Sequence, residues 1–195
     1  EMIFSISPSL RKEIYGGVLD VGFDLKSVDT RDSASVNISV FPAVHYSYLF
    51  SPSYLKASIG IRGSLKDNSY WTLSQMNPFI LNALPYDGGG LTLVNSKTKY
   101  DAYVGLTTYL GYKLQVFAEC SYARVLDMPF FELDNLSSYK YKFSVVYDDV
   151  NHLHSHATIK WQISEKSRID LTLDYHQYKT DSLQSYAYKP SFKTH

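Results

Sequence analysis

Leu19-Asp20-Val21-Gly22-Phe23-Asp24-Leu25-Lys26 puts an apolar residue at every odd position and a polar residue or glycine at every even one. Successive side chains of a β-strand point to opposite faces, so this stretch has one apolar and one ionic face. The same period returns along the chain. Val36 to Tyr48 sets Val36, Ile38, Val40, Val44, Tyr46 and Tyr48 against Asn37, Ser39, His45 and Ser47. Leu55 to Lys66 sets Leu55, Ala57, Ile59, Ile61 and Leu65 against Lys56, Ser58, Arg62, Ser64 and Lys66. Tyr100–Leu110, Leu114–Val125 and Ile169–Tyr178 follow suit. At the start, Met2 to Ser7 reads as a strand end, Pro8 to Lys12 as a short turn, and Tyr15 to Lys26 as the first full strand. Pro42 cannot donate to a ladder, which predicts a bulge or a locally open edge there.

Tyr139 to Ile163 needs a decision. Two strands joined at Asp148-Asp149-Val150-Asn151 would fit the composition. Yet apolar residues stay odd on both sides: Tyr141, Phe143, Val145 and Tyr147 before, Leu153, Ala157, Ile159, Trp161 and Ile163 after. A hairpin has no need to keep that parity and one strand does, so one long strand with an irregularity near Asp149 is expected.

About eight strands result. Short connections at Pro8, Pro52, Gly111 and Glu165 alternate with longer ones at Thr30, from Asp67 to about Lys97, after Leu126 and after Lys179. Short turns on one rim and long loops on the other are the habit of outer-membrane barrels. The expected fold is therefore all-β: an antiparallel up-and-down transmembrane β-barrel, or a contiguous fragment of one, forming a single domain over residues 1–195. No leader sequence or plug domain is recognised, so the chain is expected to be barrel without them. The rival fold is a soluble β-sandwich binding module, which has shorter strands and less one-sided loops.

The faces support a lipid boundary. Leu19, Val21, Phe23, Ile59, Ile61, Val104, Leu106, Val116, Ala118, Ile159, Trp161, Ile169, Leu171 and Leu173 carry no charge, whereas Asp20, Asp24, Arg62, Lys66, Asp101, Glu119, Lys160, Arg168, Asp170 and Asp174 lie on the other faces. A Lys or Arg at the bilayer midplane costs roughly 2–4 kcal/mol, so an uncharged row is what lipid demands. Mixed signs on the polar face suit ion-paired walls better than a charge-selective pore. With 19 basic and 19 acidic residues the chain has no electrostatic footprint for nucleic acid. Eighteen tyrosines supply rings with a polar tip, suited to a surface dry at one depth and wet at another.

Candidate chemistry is sparse. Cys120 is the single cysteine, on an apolar face, and reads as a small hydrophobe. His152, His154 and His156 share one strand face but extend over roughly 13 Å, so the three cannot reach one ion without a bend. They are expected to be polar lining; no metal site and no cofactor is assigned. Asp148-Asp149 beside His152 suggests acid–base work, but no nucleophile is recognisably placed, and no catalytic residue is assigned. Gly88-Gly89-Gly90 lacks the strand-to-helix setting of a phosphate cradle. The loop aromatics Tyr70, Trp71, Phe79, Tyr86, Phe130 and Phe131 are the candidate ligand-binding residues, since exposed rings stack on sugars and other flat ligands.

Asn68-Ser69-Tyr70 through Leu73, Asn77-Pro78-Phe79, Asp127-Met128-Pro129-Phe130-Phe131 and Val146-Tyr147-Asp148-Asp149-Val150 carry a resemblance. From about Val36 to Pro190 the chain resembles barrel segments of TonB-dependent-receptor-like outer-membrane proteins of the Bacteroidota kind. That resemblance implies an outer-membrane location and nutrient or ligand uptake, with outer-membrane lipid, a small-molecule or glycan ligand, and TonB (through regions beyond this chain) as partners. Full receptors have far more strands, so this chain would be part of such a barrel or a smaller relative. The other functional expectations are a structural or adhesive surface barrel and, less favoured, a membrane-embedded hydrolase.

Overall fold

The computed structural model describes residues 2–29, 37–51, 54–80, 93–111, 113–133 and 143–181. Among these, nine strands and one short helix follow in the order β1 (Met2–Ile6), β2 (Ser9–Ile14), β3 (Gly17–Asp29), β4 (Asn37–Ser51), β5 (Leu55–Lys66), α1 (Tyr70–Met76), β6 (Ser96–Leu110), β7 (Leu114–Leu133), β8 (Phe143–Ser164) and β9 (Ser167–Thr180). The strands form one sheet in the order β1-β3-β4-β5-β6-β7-β8-β9, with β2 also on β3. From β3 onwards each strand pairs with its chain neighbour, the antiparallel up-and-down arrangement that the alternation implies.

Register turns the sequence pattern into faces, because directly opposed residues share one. Leu19 lies opposite Tyr46, which lies opposite Ile59; Val21 opposes Val44, which opposes Ile61; between these apolar rows runs Asp20, His45 and Gly60.

The first hairpin differs from expectation. Pro8 does not turn the chain: β1 and β2 both pair with β3 in one continuous register, Ile6 opposite Leu25 and Ser9 opposite Gly22. Proline removes one ladder donor and so interrupts the strand without reversing it. Its carbonyl still accepts from Phe23 N–H at 3.3 Å. The reversal comes at Tyr15 and Gly16, whose φ values of 51° and 76° are the left-handed pair of a two-residue type I′ turn. Two strands where one end was expected raise the total from about eight to nine.

At Pro42 the pairing with β3 runs through unshifted, Phe23 opposite Pro42, while pairing with β5 begins only at Ala43. The edge is thus open on one side, and the irregularity falls instead between Leu49 and Ser51. β7 continues to Leu133 rather than stopping at Val125, passing a left-handed residue at Asp127 (φ 54°). β8 is one strand of 22 residues through Asp148–Asn151, as parity required. Residues 139–142 lie outside the described residues.

Two compact units are distinguished: Glu1–Ser64 with Lys99–Ala123 and His152–Gln177, and Leu65–Thr98 with Arg124–Asn151 and Tyr178–His195. The first unit leaves its apolar face open: Val21, Phe23, Val40, Ile59, Val104, Leu106, Trp161, Ile169, Leu171 and Leu173 are all exposed. The second has a conventional small core of Leu73, Ile80 and Phe131, with Phe143 and Val145 packed on it. Helix α1 is started by Ser69, whose hydroxyl accepts from Thr72 N–H at 3.3 Å, and it delivers the fully buried Leu73 to that core. No helix among the described residues is long and apolar enough to cross a membrane, which leaves crossing by strands open.

Candidate functional site

The polar face of the first unit is a wall of matched charges. Arg62 on β5 donates through Nε to Asp101 Oδ2 at 2.8 Å and through Nη2 to Glu119 Oε1 at 3.0 Å. Its guanidinium carbon stands 4.4 Å from the centre of the Tyr103 ring, a cation–π contact. Tyr103 lies over Gly60, where an added Cβ would come within 2.6 Å of its hydroxyl. Glycine leaves that space, and the tyrosine oxygen reaches His45 Nδ1 at 2.7 Å. At the other end of this face Arg11 pairs with Asp20 at 2.6 Å across β2 and β3.

Further along the same unit, β8 and β9 gather four imidazoles and a carboxylate. Asp174 Oδ1 lies 2.6 Å from His156 Nδ1 and 3.3 Å from His154 Nε2. The His154 and His176 rings stack with centroids 4.3 Å apart and planes 2° from parallel. His176 Nδ1 in turn meets His152 Nε2 at 3.0 Å. His156 Nε2 is 2.9 Å from the Thr158 hydroxyl, and its ring lies beside Phe117. A recess of about 420 Å³ opens next to His156, lined by Gln115, Phe117, Thr158, Lys160 and Thr172.

The three β8 histidines therefore share a face, as alternation predicts. What strand spacing alone leaves out is the neighbouring strand: Asp174 and His176 come from β9, and no pattern within β8 announces them. The one available signal was the same even parity of Asp174 and His176 on a strand one short turn away.

In the second unit Asn68 is buried, donating through Nδ2 to Val94 O at 2.8 Å and Ser96 Oγ at 2.7 Å. Ser96 Oγ passes on a bond to Asp127 O at 2.8 Å, and Asp127 N–H donates to Asp149 Oδ1 at 3.2 Å. Arg124 pairs with Asp149 at 3.3 Å and with Asp181 at 2.5 Å. Hydrogen bonding to that guanidinium holds the Asp181 carboxyl below its ordinary range. Burial pushes the Tyr147 hydroxyl up, although it accepts from Val94 N–H at 3.2 Å. Asp149 is thus engaged in ion pairing and backbone bonding, a structural use of a residue considered for acid–base work.

The candidate ligand-binding aromatics divide. Trp71 and Phe79 are well exposed and Tyr70 partly so. Phe130 and Phe131, expected as exposed loop rings, are buried instead, Phe131 in the Leu73–Ile80 core. Tyr86 lies outside the described residues.

The described strands form an antiparallel up-and-down β-sheet, and in the first unit one face is apolar and open and the other ionic. No protein-family model matches it, and no curated protein matches it by sequence. Among solved structures it is similar to the copper transporter OprC, with a TM-score of 0.61 and 16% sequence identity over 92% of this chain and 29% of that one. The likeness is one of fold, and this chain spans less than a third of that protein's length.

Proposed function

We propose that this chain is wall from an outer-membrane β-barrel, working in ligand or nutrient uptake as part of a TonB-dependent-receptor-like transporter. One observation carries the reading: the first unit leaves whole rows of Val, Ile, Leu, Phe and Trp exposed, while its opposite face is ion-paired. Soluble monomers rarely expose apolar patches of more than a few hundred Å², whereas a barrel must present such a band to lipid. Likeness of fold to part of a transporter supports it. Membrane-spanning segments of about 9–11 residues fit within the first unit's strands. Tyr70, Trp71 and Phe79 are the proposed contacts for a small-molecule or glycan ligand, TonB would act through regions beyond this chain, and no catalytic role is proposed.

Density-gradient fractionation of cells expressing the full-length gene product tests the location, with heat-shifted migration on gels as the mark of a folded barrel. Growth of a deletion strain on limiting glycans or metals, with and without complementation, tests uptake. A product in the soluble fraction would remove the barrel reading; growth indistinguishable from the parent would remove transport.

A further inference from the structure

We infer that His154, His156 and Asp174 form a binding site for a divalent transition-metal ion on the polar face of the sheet. The site goes beyond uptake, since it would bind whether or not the protein transports anything. One imidazole nitrogen from each histidine and one carboxylate oxygen of Asp174 all lie within 4.8 Å of one another. Tetrahedral bonds of about 2.0–2.2 Å place neighbouring ligand atoms about 3.3–3.6 Å apart. Asp174 Oδ1 meets that spacing from His154, at 3.3 Å, and has to draw back from His156 Nδ1, at 2.6 Å, for an ion to enter between them.

Convergence follows from the sheet. Residues 154 and 156 lie on one face of β8, about 6–7 Å apart at the backbone, a gap that two imidazoles close through their rotamers. Asp174 on β9 contacts both and supplies the third donor, which His152 on the same straight strand is too distant to supply. Thr158 adds a second feature of metal sites. Its hydroxyl engages His156 Nε2, which leaves Nδ1 as the nitrogen turned to Asp174. The His176 ring, stacked on His154 and bonded to His152, restricts the rotation of His154.

The donors choose the ion. Two imidazoles and one carboxylate suit Zn²⁺, Ni²⁺ and Cu²⁺, with Cu²⁺ held most tightly, and lack the soft sulfur that selects Cu⁺. The recess beside His156 leaves room for water or a cargo group as a fourth ligand.

The test is calorimetric titration of ZnCl₂ into the full-length protein, purified in detergent with a tag free of histidine and stripped with chelator. Wild type is expected to bind one more Zn²⁺ per chain than H154A or D174N, or to bind that ion at least tenfold more tightly. H45A, which alters the Tyr103 contact on β4 and β6 and leaves the β8–β9 cluster intact, should match wild type. Equal binding by wild type, H154A and D174N would overturn the site. Should either variant lose its heat-shifted band, Cu²⁺ EPR of wild type and H156Q decides: imidazole-nitrogen coupling that weakens in H156Q is expected, and identical spectra overturn the proposal. Tight Zn²⁺ binding in a protein that supports no uptake would leave this site standing and remove only transport.

Discussion

Arg62 and Asp101 are joined at 2.8 Å across β5 and β6, with the carboxylate far less exposed than the guanidinium that neutralises it. Glu119 on β7 shares the same arginine at 3.0 Å. Two half-buried carboxylates thus depend on one cation, which locks three successive strands on their polar face.

Removing that cation should cost more than an ordinary surface pair. R62A leaves Asp101 and Glu119 without their bridge and Tyr103 without its cation–π partner. An exposed ion pair is worth about 0–1 kcal/mol, and stranding a partly buried charge costs more, so a loss of about 1–3 kcal/mol is expected. Urea unfolding in lipid vesicles measures it. D101N in the R62A background should cost little further; full additivity of the two would show that they do not interact.

Gly60 holds space for Tyr103. In G60A the new methyl would also meet Val44 O at 2.5 Å, so backbone and ring must both give way. Overpacking of this kind costs about 1–3 kcal/mol. Quenching of the Tyr103 contact with His45 should be visible as a changed His45 ring resonance; an unshifted resonance would mean the ring was never held there.

The second unit separates packing from recognition. F131A empties a core position and should cost about 3–5 kcal/mol, the usual range for a buried phenylalanine. W71A, at an exposed site, should stay within about 0.5 kcal/mol of wild type. If Trp71 contributes a stacking surface, W71A should instead weaken glycan binding measured by fluorescence titration. Unchanged binding across a glycan panel would take Trp71 out of the proposed ligand surface.

Asp181 gives an acid-dependent term. Arg124 depresses its carboxyl in the folded state. A depressed folded pKa stabilises above the unfolded value, about 3.9 for Asp, and that stabilisation fades as pH falls through the folded value. Wild type should therefore exceed D181N in unfolding midpoint at pH 7, with the two converging below about pH 4. A gap that stays constant into strong acid would show that the Arg124 pair contributes nothing.

Alternation made the strands legible from sequence. It gave β5 to the residue, it carried β8 unbroken past Asp148–Asn151, and it separated the apolar rows from the ionic ones. It misplaced events that period cannot encode. Pro8 looks like a turn because proline commonly sits in turns, but a lost donor merely interrupts a strand already in register. Asp127 adopts a left-handed backbone that lets β7 run on to Leu133, where composition suggested a loop. Phe131 reads as an exposed loop ring because its partners, Leu73 on α1 and Ile80 just after it, come from about fifty residues earlier in the chain, and Phe130 beside it is buried as well. Asp174 and His176 meet the β8 histidines only through strand pairing, which a single strand's spacing does not reveal.

The assignment of faces to lipid and lumen can be read directly. After replacement of Cys120 by alanine, single cysteines at residues 168 to 173 of the full-length protein in liposomes would carry nitroxide labels. Power-saturation EPR then compares access of oxygen, which concentrates in lipid, with that of a water-soluble nickel chelate. Oxygen access should peak at 169, 171 and 173 and chelate access at 168, 170 and 172, a period of two along β9. Labels equally open to the chelate at all six positions would contradict a lipid-facing wall.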